Sequence, residues 1–213
     1  MGNVRARAWE GIPTFVRRRP LTLAALRFAL RVHGDDWREA DGAPFILHPL
    51  EVASLLHAHA CSDEVTAAGL LHDTLENTSA TPEEIELRFG ARVEHLVSCL
   101  TEDPGIHDVH ERKSALRDQV ATCDGDAKMI YAADKLSKVR ELRLRLGAEP
   151  AFTATPEGQR KLTHYWRSLT MLESALAEHP LVFQLRFELE AVRDLPPART
   201  SRAAMRRASS PSD

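Results

Sequence analysis

This sequence predicts an all-α protein, and three observations carry the prediction. Aromatic residues make up only 6% of its 213 residues, and no long alternation of β-branched residues appears. The apolar residues recur instead at helical spacing. Capping residues, Pro and Gly mark starts and stops between the periodic segments.

The elements follow in order. Leu and Ala repeat through LTLAALRFALRVHG, residues 21–34, a helix that stops at Gly34. After the loop DDWREADGAPF, His48-Pro49 opens a second helix through Val52, Leu55 and Leu56, with Pro in the first turn, where its missing N–H costs nothing. Asp63 is the expected N-cap of EVTAAGLLHDTLEN, a stretch apolar on nearly all sides and hence a buried central helix. Thr81-Pro82-Glu83-Glu84 supplies a cap, a Pro and the glutamate of a capping box, and this short helix ends at Phe89-Gly90. Further helices cover about Ala91 to Leu100 and then ERKSALRDQVATC. Asp124-Gly125 precedes DAKMIYAADKLSKVRELRLRL, which Gly147 closes at a C′ position. Thr155-Pro156-Glu157 opens a long helix to about Ala177, His179-Pro180 breaks it, and LVFQLRFELEAVRDL is the last. The expected organisation is one helical domain over 20–195, a flexible basic extension over 1–19 and a disordered Pro-, Ser- and Arg-rich tail over 196–213.

Composition narrows the function classes. At 43% hydrophobic and 28% charged, the chain reads as soluble and globular, with no apolar run of membrane-spanning length and no apolar stretch of a secretory signal near its N-terminus. Cys61, Cys99 and Cys123 are odd in number and widely spaced; they fit neither a disulfide framework nor a C-x-x-C metal site, so the expected location is the cytoplasm. The net charge of −3 conceals a split. Residues 1–19 carry five Arg against one Glu and residues 195–213 four Arg against one Asp, which leaves residues 20–194 at −10. An acidic core is a poor generic nucleic-acid binder, so no nucleic-acid partner is expected. An anionic ligand would need a metal ion or a few placed Arg and Lys.

Four side chains supply that metal chemistry. His48 opens one helix, His72 and Asp73 are adjacent in LLHDTLEN, and Asp134 follows Ala132-Ala133 in another apolar segment. Carboxylates in such settings are costly unless something pairs with them, and a metal ion would satisfy two aspartates and two imidazoles together. In an unbroken helix Glu76 lies at i+4 from His72 and i+3 from Asp73, on the same side, within reach of a water beside the metal. The N/O donor set suits Mn²⁺, with Zn²⁺, Fe²⁺ or Mg²⁺ as alternatives, and the chemistry suggested is metal-assisted attack of water on phosphorus. His57, His59, His95, His107, His110 and His179 read as surface or capping histidines.

The order H(48)…HD(72–73)…D(134) resembles the HD-domain metal-dependent phosphohydrolases. The surroundings are narrower: GAPFILHPLEVASLL, AAGLLHDTLENT, TPEEIELRFGARVEHLVSCLTED, ERK, AADKLSKVREL and TPEG…HYW are similar to the hydrolase domain of RelA/SpoT proteins over about residues 22–178. The layout resembles the single-domain small alarmone hydrolases of the metazoan SpoT-homologue kind. The resemblance implies an HD-domain helical bundle that hydrolyses the 3′-pyrophosphate of guanosine tetra- or pentaphosphate with Mn²⁺, releasing pyrophosphate. It implies His48, His72, Asp73 and Asp134 as ligands, and Glu76 and Asn77 at the family's acidic catalytic pair. Arg38 would stack on guanine, Arg112 and Lys113 would lie near the pyrophosphate, Lys161 near the phosphates, and Leu144 would line the base pocket. With one domain filling most of the length, no synthetase domain is expected, and a homodimer is left open. Two positions depart from the family. Asn77 replaces an acid, and Asn cannot act as a general base. Lys138 replaces the Asn of the family's DKLxN, where a cation could bind phosphate or shift substrate preference. The alternatives are therefore a related phosphohydrolase acting on NADPH or a pyrophosphorylated adenosine nucleotide, and a slow metal-containing pseudo-hydrolase that binds an alarmone.

Overall fold

A computed structural model describes residues 12–34, 36–38 and 42–194. Most of both basic ends, residues 1–11 and 195–213, lie outside the described residues. The described chain is all-α, and no helix in it is long and apolar enough to cross a membrane. In chain order the helices are α1 Thr14–Arg18, α2 Pro20–Val32, α3 Leu47–Ala58, α4 Asp63–Leu71, α5 Thr74–Asn77, α6 Pro82–Phe89, α7 Ala91–Leu100, α8 Val109–Thr122, α9 Gly125–Ala148, α10 Pro156–Ala175 and α11 Pro180–Asp194. A 3₁₀ turn, Phe152–Ala154, precedes α10.

α4 is the central helix that its composition predicts. Every residue from Val65 to Leu71 is buried, and the helix packs against α2, α3, α7 and α9. α9 is the second pillar: it touches α3, α7, α8, α10 and α11, and Ile130 to Ser137 are buried. These two helices and the first turn of α3 place the candidate metal ligands. Between α2 and α3, a single bridge between Trp37 and Pro44 closes a loop, with Arg38 N–H donating to Ala43 O at 2.8 Å and Phe45 N–H to Asp36 O at 2.8 Å.

Several local expectations are corrected. Ser62, not Asp63, caps α4, its hydroxyl accepting from Val65 N–H. Asp63 instead caps α2 from across the fold, its carboxylate accepting from Leu21 N–H at 3.1 Å and Thr22 N–H at 2.9 Å. Residues 12–19, expected in the loose extension, pack onto the domain: Ile12 and Val16 are buried, and Arg19 bonds Cys61 O at 2.8 Å and Thr66 Oγ1 at 2.9 Å. Gly147 does not close α9 but lies within it, one residue before its end. Cys99 and Cys123 form a disulfide, which their separation of 24 residues did not suggest. The loop after α7 carries the chain away, and α8 returns its last turn to the end of α7, where Gln119 Nε2 donates to Ser98 O, Cys99 O and Thr101 O.

The entry to α10 is tightly built. Thr155 Oγ1 accepts from Gly158 N–H at 3.0 Å, and a Cβ on Gly158 would sit 2.1 Å from the Phe152 carbonyl oxygen. Backbone on both sides leaves nothing flexible to yield. Gly158→Ala is expected to cost about 2 kcal/mol or more, seen as a Tm lower by about 4 °C or more in a thermal melt.

Candidate active site

The chain breaks its central helix where the chemistry lies. The His72 Nδ1–H donates to Gly69 O at 2.8 Å, taking an acceptor the continuing helix would have used. α4 ends, Asp73 adopts φ −91° and ψ −3°, and α5 restarts at Thr74. Neighbours in a regular helix face apart; here the break turns both toward one point, with His72 Nε2 3.2 Å from Asp73 Oδ1. The expectation of one uninterrupted helix through Asn77 is thus corrected, and the correction brings the ligands together.

His48 arrives from α3 and Asp134 from α9. His48 Nε2 lies 3.3 Å from His72 Nε2, 3.2 Å from Asp134 Oδ1 and 3.6 Å from Asp73 Oδ2. His72 Nε2 is 3.6 Å from Asp134 Oδ1. His48, His72 and Asp134 are buried and form the tightest trio, with Asp73 at its edge. The residues fit a divalent metal on two counts. The Ser137 hydroxyl donates to Glu51 Oε2 at 2.9 Å, so it accepts from the His48 Nδ1–H at 2.9 Å. With both Nδ1 atoms acting as donors, both neutral imidazoles present Nε2 lone pairs to each other and to the aspartates. Asp134 Oδ1 is also buried with no hydrogen-bond partner. Facing lone pairs around an orphaned carboxylate oxygen require a cation between them. Without one, a proton serves: burial disfavours the His72 imidazolium, but Asp73 and Asp134 outweigh it and push His72 up to about 9.

A supporting layer orients the ligands. Lys135 Nζ donates to Asp134 Oδ2 at 2.6 Å, and despite the burial of Asp134 this cation and the two histidines hold its carboxyl well below the usual range. Glu141 Oε1 lies 3.3 Å from His48 Nδ1 and 3.4 Å from Arg38 Nη1, and so links the metal site to the loop. Arg140 braces Glu51 at 3.0 Å. Ser137→Ala removes the fixed partner of His48 and is expected to weaken Mn²⁺ binding by about 10- to 100-fold with the fold intact, checked by metal titration alongside circular dichroism.

Two adjoining cavities open beside this cluster and share Lys138, Lys161 and Tyr165. One, of about 330 Å³, is walled by Trp37, Arg38, Phe45, Leu142 and Arg145. The other, of about 760 Å³, carries Lys113, Arg117, Lys135 and Lys138 from α8 and α9, and Arg160, Lys161 and Arg167 from α10, against Glu157 as the one acid in its described lining. The first can hold a planar ring system between aromatic and guanidinium faces, and the second can hold phosphates.

The sequence-derived candidates distribute as follows. Arg38, Lys113, Lys138 and Lys161 line the cavities. Arg112 does not line them: its Nε donates to Glu102 at 2.6 Å and its Nη1 to Ile106 O at 2.9 Å, bracing the α7–α8 loop. Lys113 also pairs with Glu102. Leu144 is 60% exposed, and the cavity wall is built by Leu142 and Arg145 instead. Glu76 on α5 is an exposed residue whose carboxylate accepts from Glu102 N–H at 2.7 Å; crowding of that carboxylate by surrounding protein, aided by Asp73 and Glu102, outweighs that bond and holds its carboxyl above the ordinary value. Asn77 is exposed beside it. Sequence reasoning missed Lys135, Arg117, His164 and the supporting Ser137, Glu51 and Glu141. All but Arg117 lie in segments that carry the family resemblance, Glu51 in GAPFILHPLEVASLL, Lys135, Ser137 and Glu141 in AADKLSKVREL and His164 in HYW, and that placement is the signal that could have found them.

An HD metal centre on an all-α scaffold is the class this fold and site define. The HD domain family model matches residues 25–154, and the chain belongs to that family. Within it, the chain is 39% identical over 139 residues to the guanosine-3′,5′-bis(diphosphate) 3′-pyrophosphohydrolase MESH1 of Homo sapiens, covering 64% of this chain and 72% of that one. It is similar in structure to a metazoan orthologue of SpoT that hydrolyses ppGpp, with a TM-score of 0.69 at 26% identity over 83% of this chain and 97% of that one. A protein of Listeria monocytogenes EGD-e matches with a TM-score of 0.64 at 28% identity, over 71% and 98% of the two chains.

Proposed function

We propose that this chain hydrolyses the 3′-pyrophosphate of guanosine tetra- or pentaphosphate to GDP or GTP and pyrophosphate, with Mn²⁺ held by His48, His72, Asp73 and Asp134. The observation that carries the reading is the convergence of these four side chains beside a cleft whose charged lining residues are Lys and Arg with the single exception of Glu157. The names of the human and metazoan relatives support the same substrate.

The reaction joins a water oxygen to the phosphorus that bears the ribose 3′-oxygen. The P–O3′ bond breaks, pyrophosphate leaves whole, and the 3′-oxygen takes up a proton. A divalent ion in this site would lower the pKa of water and neutralise phosphate charge. In this reading Glu76 accepts the proton of the attacking water, its raised pKa suiting it to that task, while Asn77 orients by hydrogen bonding without titrating. Arg38 stacks on the base in the smaller cavity, where Glu141 fixes the guanidinium. Lys138 and Lys161, at the junction of the two cavities, bridge from the base side to the phosphates. Lys113 faces the pyrophosphate, and Arg112 acts behind it by holding Glu102.

A panel of nucleotides offered to the Mn²⁺-loaded protein, scored for pyrophosphate against orthophosphate, tests the reading. Guanosine tetraphosphate is expected to turn over fastest with one pyrophosphate per GDP. Faster orthophosphate release from NADPH, or faster turnover of a pyrophosphorylated adenosine nucleotide, would reassign the substrate, an outcome that Lys138 motivates. Asn77→Asp tests the departure at that position: an unchanged rate is expected if Glu76 suffices, and a large gain would mark the natural chain as a slow hydrolase.

A further inference from the structure

Arg117 is a buried cation that the catalytic reading leaves unused. It is 8% exposed, on α8, and lines the larger cavity. No carboxylate pairs with it among the described residues. Its described partner is His164 on α10, whose Nδ1 accepts from Arg117 Nη1 at 2.8 Å. The neighbouring cations differ in this respect: Lys135 is neutralised by Asp134 and Lys113 by Glu102. A buried guanidinium is costly without a counter-charge, and an imidazole that accepts one N–H satisfies geometry but cancels no charge. Burial, with Lys135, Lys113 and Arg117 nearby, pushes His164 down to about 2, so it remains a neutral acceptor at any working pH. The arrangement aims a guanidinium and leaves its charge open toward the cavity.

We propose that Arg117, aimed by His164, is the seat of the terminal phosphate of the scissile pyrophosphoryl group. The scissile phosphorus must lie at the metal centre. Lys135 joins that centre, through Asp134, to the cavity that Arg117 lines, so the phosphate next along the chain meets Arg117 there. A planar fork suits two phosphate oxygens at once. Arg117 is thus a substrate-binding residue and His164 a positioning residue. Assigning the anion to the 3′ side rests on the reading under Proposed function.

Inorganic pyrophosphate, titrated calorimetrically into the metal-free protein in chelator, is the probe. The unaltered protein is expected to bind it, and Arg117→Met to bind it about tenfold or more weakly with circular dichroism unchanged. His164→Phe removes the acceptor and should weaken binding likewise. His164→Asn, which presents an oxygen near the Nδ1 position, should restore it to within about twofold of the original; this pair serves if Arg117→Met fails to fold. GDP binding should be unchanged in all three variants. Pyrophosphate affinity that ignores Arg117 and His164, no pyrophosphate binding by the unaltered protein, or a loss confined to GDP would each overturn the proposal. Because the probe is not a nucleotide, the two readings fail separately. Arg117-dependent pyrophosphate binding without alarmone turnover keeps the seat and removes the substrate reading. Alarmone turnover with Arg117-independent pyrophosphate binding does the reverse.

Discussion

Replacing Asp134 with alanine is expected to abolish both metal retention and turnover. Asp134 Oδ1 is the oxygen toward which both Nε2 atoms converge, at 3.2 Å and 3.6 Å, and it is buried with no other partner. Its loss removes the oxygen on which both imidazoles converge and one of the two carboxylate charges, so the two imidazoles and Asp73 that remain no longer surround one point. Metal-assisted attack contributes several kcal/mol of transition-state stabilisation, so the rate should fall by about 1,000-fold or more. The variant also leaves Lys135 as a buried cation without its carboxylate, which is destabilising in itself. Asp134→Asn keeps an oxygen that can accept from Lys135 and fills the same space while removing the charge, so it limits the damage to the fold and still weakens the metal site. Metal content by atomic emission, read beside the melting temperature, distinguishes an empty site from an unfolded chain. Full retention of Mn²⁺ in folded Asp134→Ala would sink the ligand assignment.

Glu76→Gln should leave metal content unchanged and lower kcat by about 100- to 10,000-fold, the usual contribution of one positioned acid–base group. Glu76 stands on α5 immediately after the ligand pair, and its neighbour Asn77 cannot share the proton. The sign of the pH dependence follows from the raised pKa of Glu76. The base must be deprotonated to act, so kcat rises with pH through a limb above the ordinary carboxylate range, and the Gln variant loses that limb. A Gln variant with the original rate and pH profile would move the proton transfer elsewhere.

Much of this was legible in the residues because the informative signals are local. Ser, Thr and Asp caps, Pro in first turns and helical apolar spacing need only a few neighbouring positions, and Thr81-Pro82, Asp124 and Thr155-Pro156 begin their helices as expected. The four candidate metal ligands stood out for another reason: polar groups in apolar helices are anomalous wherever they occur. What escaped depends on contacts distant in sequence. Asp63 looks like a local cap but serves α2, 41 residues away, because the packing of α2 on α4 brings that helix start to it. The break at His72 arises from an imidazole competing for a backbone carbonyl, an event that no spacing rule encodes. Arg117 and His164 lie on separate helices, and each alone reads as an ordinary polar residue. Leu144 and Leu142 are two residues apart on α9, so helical rotation exposes one and turns the other to the cavity.

The central claim is that one ion lies among His48, His72, Asp73 and Asp134. Anomalous diffraction at the manganese edge from Mn²⁺-loaded crystals tests it directly. The account predicts a single strong peak within about 2.0–2.3 Å of an imidazole Nε2 or carboxylate oxygen from each of the four residues. A peak elsewhere, or no peak among these four side chains at saturating Mn²⁺, would contradict it.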